Sequence, residues 1–175
     1  MLFDLPVFTL IHVLLSLVGI VSGLVVVGGF MAGVEFHRWV AVFLATNVLT
    51  NVTGFGFPFV TLLPSHLVAV LSLVVLPLTI AARYWKHLAG VWHRVFVVGS
   101  VLALYLKAFV LVAQLLQKIP LLAILAPNPG APAFALTQLL VLAIFAGLGW
   151  AAVKGFPAPT APASLGPSMM PKPSV

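Results

Sequence analysis

The chain has 175 residues, 63% of them hydrophobic and only 6% charged, and its mean hydropathy is +1.27. A soluble domain carries about a quarter charged residues, so this chain could not clothe a water-facing surface with polar groups, and its length leaves no room for a separate aqueous catalytic domain. The net charge of +6 comes from basic residues set singly at the ends of apolar runs, which is how membrane topology is written and unlike the clustered patch that binds nucleic acid.

The absence of cysteine excludes disulfides, thiolate metal sites and thiol catalysis. The expected fold class is therefore all-α: a polytopic transmembrane helical bundle over residues 1–154, followed by a Pro-, Ala- and Ser-rich tail over 155–175 expected to be disordered. Its surroundings are the lipid bilayer, with other membrane subunits or further copies of itself as possible partners.

The first span is expected over residues 5–34. Its apolar run is too long for a signal peptide and lacks a basic leader, so it reads as a retained span. It exceeds the roughly 20 residues a bilayer needs, which predicts a tilt or a loosening near Gly28-Gly29. His12, Ser16, Gly19 and Gly23 fall on one helical stripe, and the two glycines have GxxxG spacing. A helix-packing face is the plain reading of that stripe. Glu35, His37 and Arg38 form a polar turn.

The second span is expected over 39–61 and is the most polar, with Thr46, Asn47, Thr50, Asn51 and Thr53. Its two carboxamides want partners on other helices, because hydrocarbon offers none. The sequon Asn51-Val52-Thr53 is set aside because it falls at bilayer depth. The span ends in the aromatic run Gly54-Phe55-Gly56-Phe57-Pro58-Phe59.

Pro64-Ser65 predicts a turn, with Ser65 as N-cap of a short third span over 66–82 that carries Pro77. Residues 83–94 place Arg83, Lys86, His87, His93 and Arg94 opposite Tyr84, Trp85 and Trp92, which predicts a short interfacial amphipathic helix. The fourth span, over 95–116, holds Ser100, Lys107 and Gln114 at seven-residue spacing, hence on one stripe. After a connection over 118–132 whose apolar part could dip into the interface, the fifth span covers 134–153. Arg38, Arg83, Lys86, Arg94, Lys154 and Lys172 fall on one side of such a bundle and Lys118 on the other. Six against one places the C-terminus in the cytoplasm and the N-terminus outside.

Lys107 lies near mid-span, where a cation costs about 2.5–3.5 kcal/mol on insertion scales. The chain's acids are Asp4 and Glu35, each at an end of the first span. The amine is therefore neutral, faces a wet cavity, or holds an anionic group. His12 and His66 open two spans from the same side, and two imidazoles facing each other beside glycines are what a bis-histidine haem b requires. His37, His87 and His93 gather at the cytoplasmic edge as interfacial side chains.

No catalytic constellation is legible: no paired carboxylates, phosphate loop, HExxH or Ser-His-Asp set. Three functional readings follow. The first is a non-enzymatic membrane protein, such as a subunit of a membrane assembly. The second is a haem- or quinone-linked electron-transfer subunit using His12 and His66. The third is a small-solute or anion transporter or channel, with Asn47, Asn51, Lys107 and Gln114 lining a midplane cavity.

The segments Leu10-Ile11-His12-Val13, Ala45-Thr46-Asn47-Val48-Leu49-Thr50, Gly54-Phe55-Gly56-Phe57-Pro58-Phe59, Pro64-Ser65-His66 and Ala82-Arg83-Tyr84 resemble small multi-pass bacterial inner-membrane proteins with no named activity. The resemblance covers residues 5 to 153 and implies a bacterial inner-membrane location. Such proteins carry an uncharged residue where this chain has Lys107.

Overall fold

The computed structural model describes the backbone of residues 5–56 and 64–157 and the side chains of 6–56 and 68–157. Among the described residues all regular structure is helical. The helices are α1 (Leu5–Met31), α2 (His37–Gly54), α3 (Pro64–Ile80), α4 (Val91–Lys118), the one-turn α5 (Pro120–Ala123) and α6 (Pro132–Gly155). A π-helical turn, Ala81–Trp85, continues α3. Strings of Leu, Val, Ala and Phe without charge become helices here because lipid cannot satisfy a backbone amide, so each must be satisfied within its own segment.

Four helical stretches are long and apolar enough to cross a membrane: Pro6–Met31, Val68–Trp85, Val91–Lys118 and Pro132–Gly155. α2 is the exception. It has 18 residues, about 27 Å at 1.5 Å each, but its carboxamides and hydroxyls lower its hydropathy.

α1 and α2 run antiparallel in the most extensive helix pair, α4 packs on α3 and α6, and α1 also touches α4 and α6. The pairing of α1 with α2 is fixed by small residues. A Cβ at Gly23 would sit 2.7 Å from Phe43 and Leu104, and one at Gly56 would sit 2.8 Å from Phe8. Such close approach matters in lipid, where helices associate through van der Waals packing rather than through escape from water.

The main core lies at the end of the bundle nearest the α1–α2 turn and includes Val26, Phe30, Phe43, Phe96, Val97 and Leu104. Phe30 meets Phe96 edge-on at 5.4 Å and lies 5.1 Å from Phe156. A smaller cluster of Leu116, Ala126 and Phe134 closes the opposite end, where α5 folds back.

Residues 83–94 do not form the expected separate amphipathic helix. They divide among the end of the π turn, a tight reversal and the first turn of α4. His87 and Leu88 have φ of 48° and 58°, and Gly90 has 54°, so the backbone is left-handed where a helix would have to continue. The burial of Leu88 in the core, at 6% exposure, accompanies this reversal. Helical spacing of basic residues was a misleading signal because the turn interrupts the period.

Two boundaries also differ from expectation. α3 starts at Pro64, so Ser65 lies inside its first turn rather than capping it. His37 and Arg38 belong to the first turn of α2 rather than to a loop. Of the tail expected to be disordered from residue 155, Gly155 instead closes α6 and Phe156 packs on Phe30 and His93; residues 158–175, Asp4 and the aromatic positions 57–59 lie outside the described residues.

Candidate functional site

The half of the bundle away from the main core holds a polar cluster shared by α1, α2 and α4. Lys107 Nζ donates a hydrogen bond to Thr50 Oγ1 at 3.0 Å. Thr50 in turn donates to the carbonyl of Thr46 at 2.6 Å. The lysine stem crosses α1 at Gly19, where a Cβ would lie 2.9 Å from Lys107 Cε, 3.1 Å from Nζ and 3.1 Å from Thr46 Oγ1. Gly19 therefore makes the space the amine occupies. A lysine has three N–H donors, and Thr50 takes one. Among the described residues no carboxylate pairs with it, since Glu35 is engaged with Arg83 at the other end of the bundle.

One turn further along α2, His12 Nδ1 lies 2.8 Å from Thr53 Oγ1. Thr53 Oγ1 also lies 2.8 Å from the Leu49 carbonyl, so the hydroxyl bridges its own helix backbone and the His12 imidazole and links α1 to α2. The stripe His12, Gly19 and Gly23 thus meets α2 at Thr53, Thr46 and Phe43 in turn.

The carboxamides behave differently from expectation. Asn47 is 3% exposed, and its Nδ2 donates to Phe43 of its own helix at 2.7 Å. Asn51 Nδ2 donates to Asn47 O at 3.0 Å. Thr46 bonds back to Val42 in the same way. Side-chain donors bonding carbonyls one turn earlier satisfy one N–H of each carboxamide within α2. Cross-helix bonds come instead from the longer Lys107 and His12.

Gln114, on the Lys107 stripe by spacing, is exposed and does not join the cluster. Ser100 is fully buried, and its Oγ has no partner among the described residues. The side chain of His66 lies outside the described residues, so its pairing with His12 around a haem does too. No group of three or more metal-ligating residues occurs among the described residues.

No family model, curated protein or solved structure matches this chain. Function therefore has to be argued from the site itself.

Two further polar groups make contacts between helices outside this cluster. Gln138 is 7% exposed, and its Nε2 donates to the Phe109 carbonyl at 3.1 Å, tying α6 to α4. It is a lone carboxamide in an otherwise apolar run, a signal the sequence carries but which was not singled out. The second is the acid end of the α1–α2 turn. Glu35 pairs with Arg83 of the π turn, and Oε1 lies 3.2 Å from His37 Nδ1. The Glu35–Arg83 contact is one of charge, since Arg83 Nε is not aligned on the carboxylate for a hydrogen bond. Nearby, His93 is 2% exposed and stacks on Phe156 at 5.0 Å. It is a core residue rather than the interfacial one its sequence context implied.

Proposed function

We propose that this is a five-span bacterial inner-membrane protein, N-terminus outside and C-terminus cytoplasmic, that binds a small anionic solute at Lys107 and passes it across the membrane without catalysing a reaction on it. The observation that carries this reading is the Lys107 amine at the middle of α4, bonded to one neutral hydroxyl and lodged against Gly19. An amine at that depth is costly without a counter-charge, and a bound anion supplies one. Thr46, Thr50 and the His12–Thr53 pair add polar groups on the same side.

Five crossings are supported by register. The start of α2 lies against Gly29 through Phe36, and its end lies against Phe8 through Gly56, so α2 runs nearly the length of α1. Its threonine hydroxyls and one N–H of each asparagine are bonded within the helix, which lowers the cost of placing it in lipid. Orientation is supported by Arg38, Arg83, Lys86, Arg94 and Lys154 at one end against Lys118 at the other.

The test is flux. Protein reconstituted into proteoliposomes is assayed with chloride and with labelled acetate. Passage above that of empty vesicles is expected, lost in Lys107→Met, kept in Lys107→Arg and unchanged in Lys118→Gln. Flux of both anions equal to that of empty vesicles would sink the proposal.

A further inference from the structure

On the side of the bundle away from Lys107, the outer face of α4 is sunk between α3 and α6. Two adjoining cavities of about 350 and 600 Å³ lie there and share Val98 and Leu102 as floor. The smaller lies between α3 and α4, and Arg94 stands at its edge. The larger lies between α4 and α6, walled by Tyr105, Phe145 and Trp150, with Lys154 at its mouth. Lys154 Nζ rests 4.0 Å over the Trp150 ring. A tryptophan and a lysine stacked at one end of an apolar helix is the arrangement found at headgroup level.

From the floor and the charged end, we infer that this paired groove binds a phospholipid with an anionic headgroup, acyl chains along Val98 and Leu102 and headgroup between Arg94 and Lys154. Length separates a lipid from a partner helix. The groove runs along α4 from Arg94 to Tyr105, eleven residues and so about 17 Å, close to one leaflet of a hydrocarbon core about 30 Å thick. A transmembrane partner would need a face running through both leaflets. This one stops where Tyr105 packs on Phe109 and Phe145 and where Gln138 bonds the Phe109 carbonyl, joining α4 to α6.

Charge selects the headgroup. Among the described residues Glu35 is paired with Arg83, and no carboxylate lines either cavity. The lining hydroxyl of Thr79 is bonded to its own helix at Val75 O, 2.8 Å away, and the charged groups of the lining are Arg94 and Lys154. The inference rests on the membrane setting alone and is independent of the reading of Lys107.

The test uses native mass spectrometry of the full chain in a non-ionic detergent, with dioleoyl phosphatidylglycerol and dioleoyl phosphatidylcholine added in equal amounts. Retention of the glycerol lipid over the choline lipid is expected, falling about fivefold in each of Lys154→Gln and Arg94→Gln and unchanged in Lys118→Gln. Gly149→Leu, which fills the groove without altering charge, should lower retention of both lipids. Should that variant fail to fold, quenching of Trp150 emission by lipids brominated mid-chain, in a protein whose other tryptophans are phenylalanine, reports the same occupancy. Equal retention of the two lipids by the unaltered chain would overturn the inference. An equal loss in Lys118→Gln, or displacement of the lipid by excess inorganic phosphate, would do the same.

Discussion

Gly155 stands where a methyl group would lie 2.5 Å from the carbonyl oxygen of Met31 and 2.6 Å from that of Phe30. The last turns of α1 and α6 therefore meet backbone to backbone, and Phe156 just beyond stacks between Phe30 and His93. A carbonyl in a helix cannot swing aside as a side-chain tip can. Gly155→Ala should therefore destabilise the bundle by about 1–3 kcal/mol. Gly147 of the same helix has nothing within 4 Å of its missing Cβ, so Gly147→Ala should hold or raise stability through helix propensity. Melting midpoints in detergent check the pair, and equal effects would show that the α1–α6 contact does not form.

The two glycines of the GxxxG stripe should separate in their effects. At Gly23 a Cβ meets Phe43 and Leu104, both buried in the core, so Gly23→Leu should cost about 1–3 kcal/mol. At Gly19 the obstacle is the flexible stem of Lys107, which can withdraw. Gly19→Ala should cost less than about 1 kcal/mol while abolishing anion flux, because the amine is pushed off Thr50. A Gly19→Ala protein with unaltered flux would show that the amine's position is immaterial.

Glu35 and Arg83 tie the α1–α2 turn to the end of α3, with side chains 11% and 21% exposed. A pair this sheltered lies between solvated and buried cases, so Glu35→Gln should destabilise by about 1–3 kcal/mol. A double-mutant cycle with Arg83→Gln measures the coupling. Additive single effects would mean that the two charges are independently solvated.

The chain has no cysteine, so single-cysteine variants can read its topology directly. In intact cells a membrane-impermeant maleimide should label Phe55→Cys and Asn128→Cys, and should reach Ala89→Cys only after lysis. Labelling of both Phe55→Cys and Ala89→Cys from the same side would remove α3 as a crossing and end the five-span topology.

Several features were legible from residue order alone. An apolar composition sets lipid as the solvent, and runs of apolar residues bounded by Pro, Gly and charge mark where helices begin and end. The five long helices accordingly appear in the expected order, most of their ends within a few residues. Lys107 stood out for the same reason, as a cation in the middle of such a run. These are local properties, readable wherever neighbours in sequence are neighbours in space.

What each polar group bonds was decided only by the tertiary structure. Helical period assigns a residue to a face but not to a partner. Spacing grouped Lys107 with Gln114, whereas the fold leaves Gln114 exposed and hands the amine to Thr50, 57 residues away in sequence. Asn47 and Asn51 looked like links between helices, but a carboxamide can also reach the carbonyl four residues back, and here it does. Glu35 meets Arg83 across 48 residues of sequence, and a left-handed reversal at His87 and Leu88 stops the helical period that residues 83–94 advertise. Helix rotation and neighbour choice are set by the joint packing of glycine, phenylalanine and leucine from several segments, and that information is carried by no single stretch of the chain.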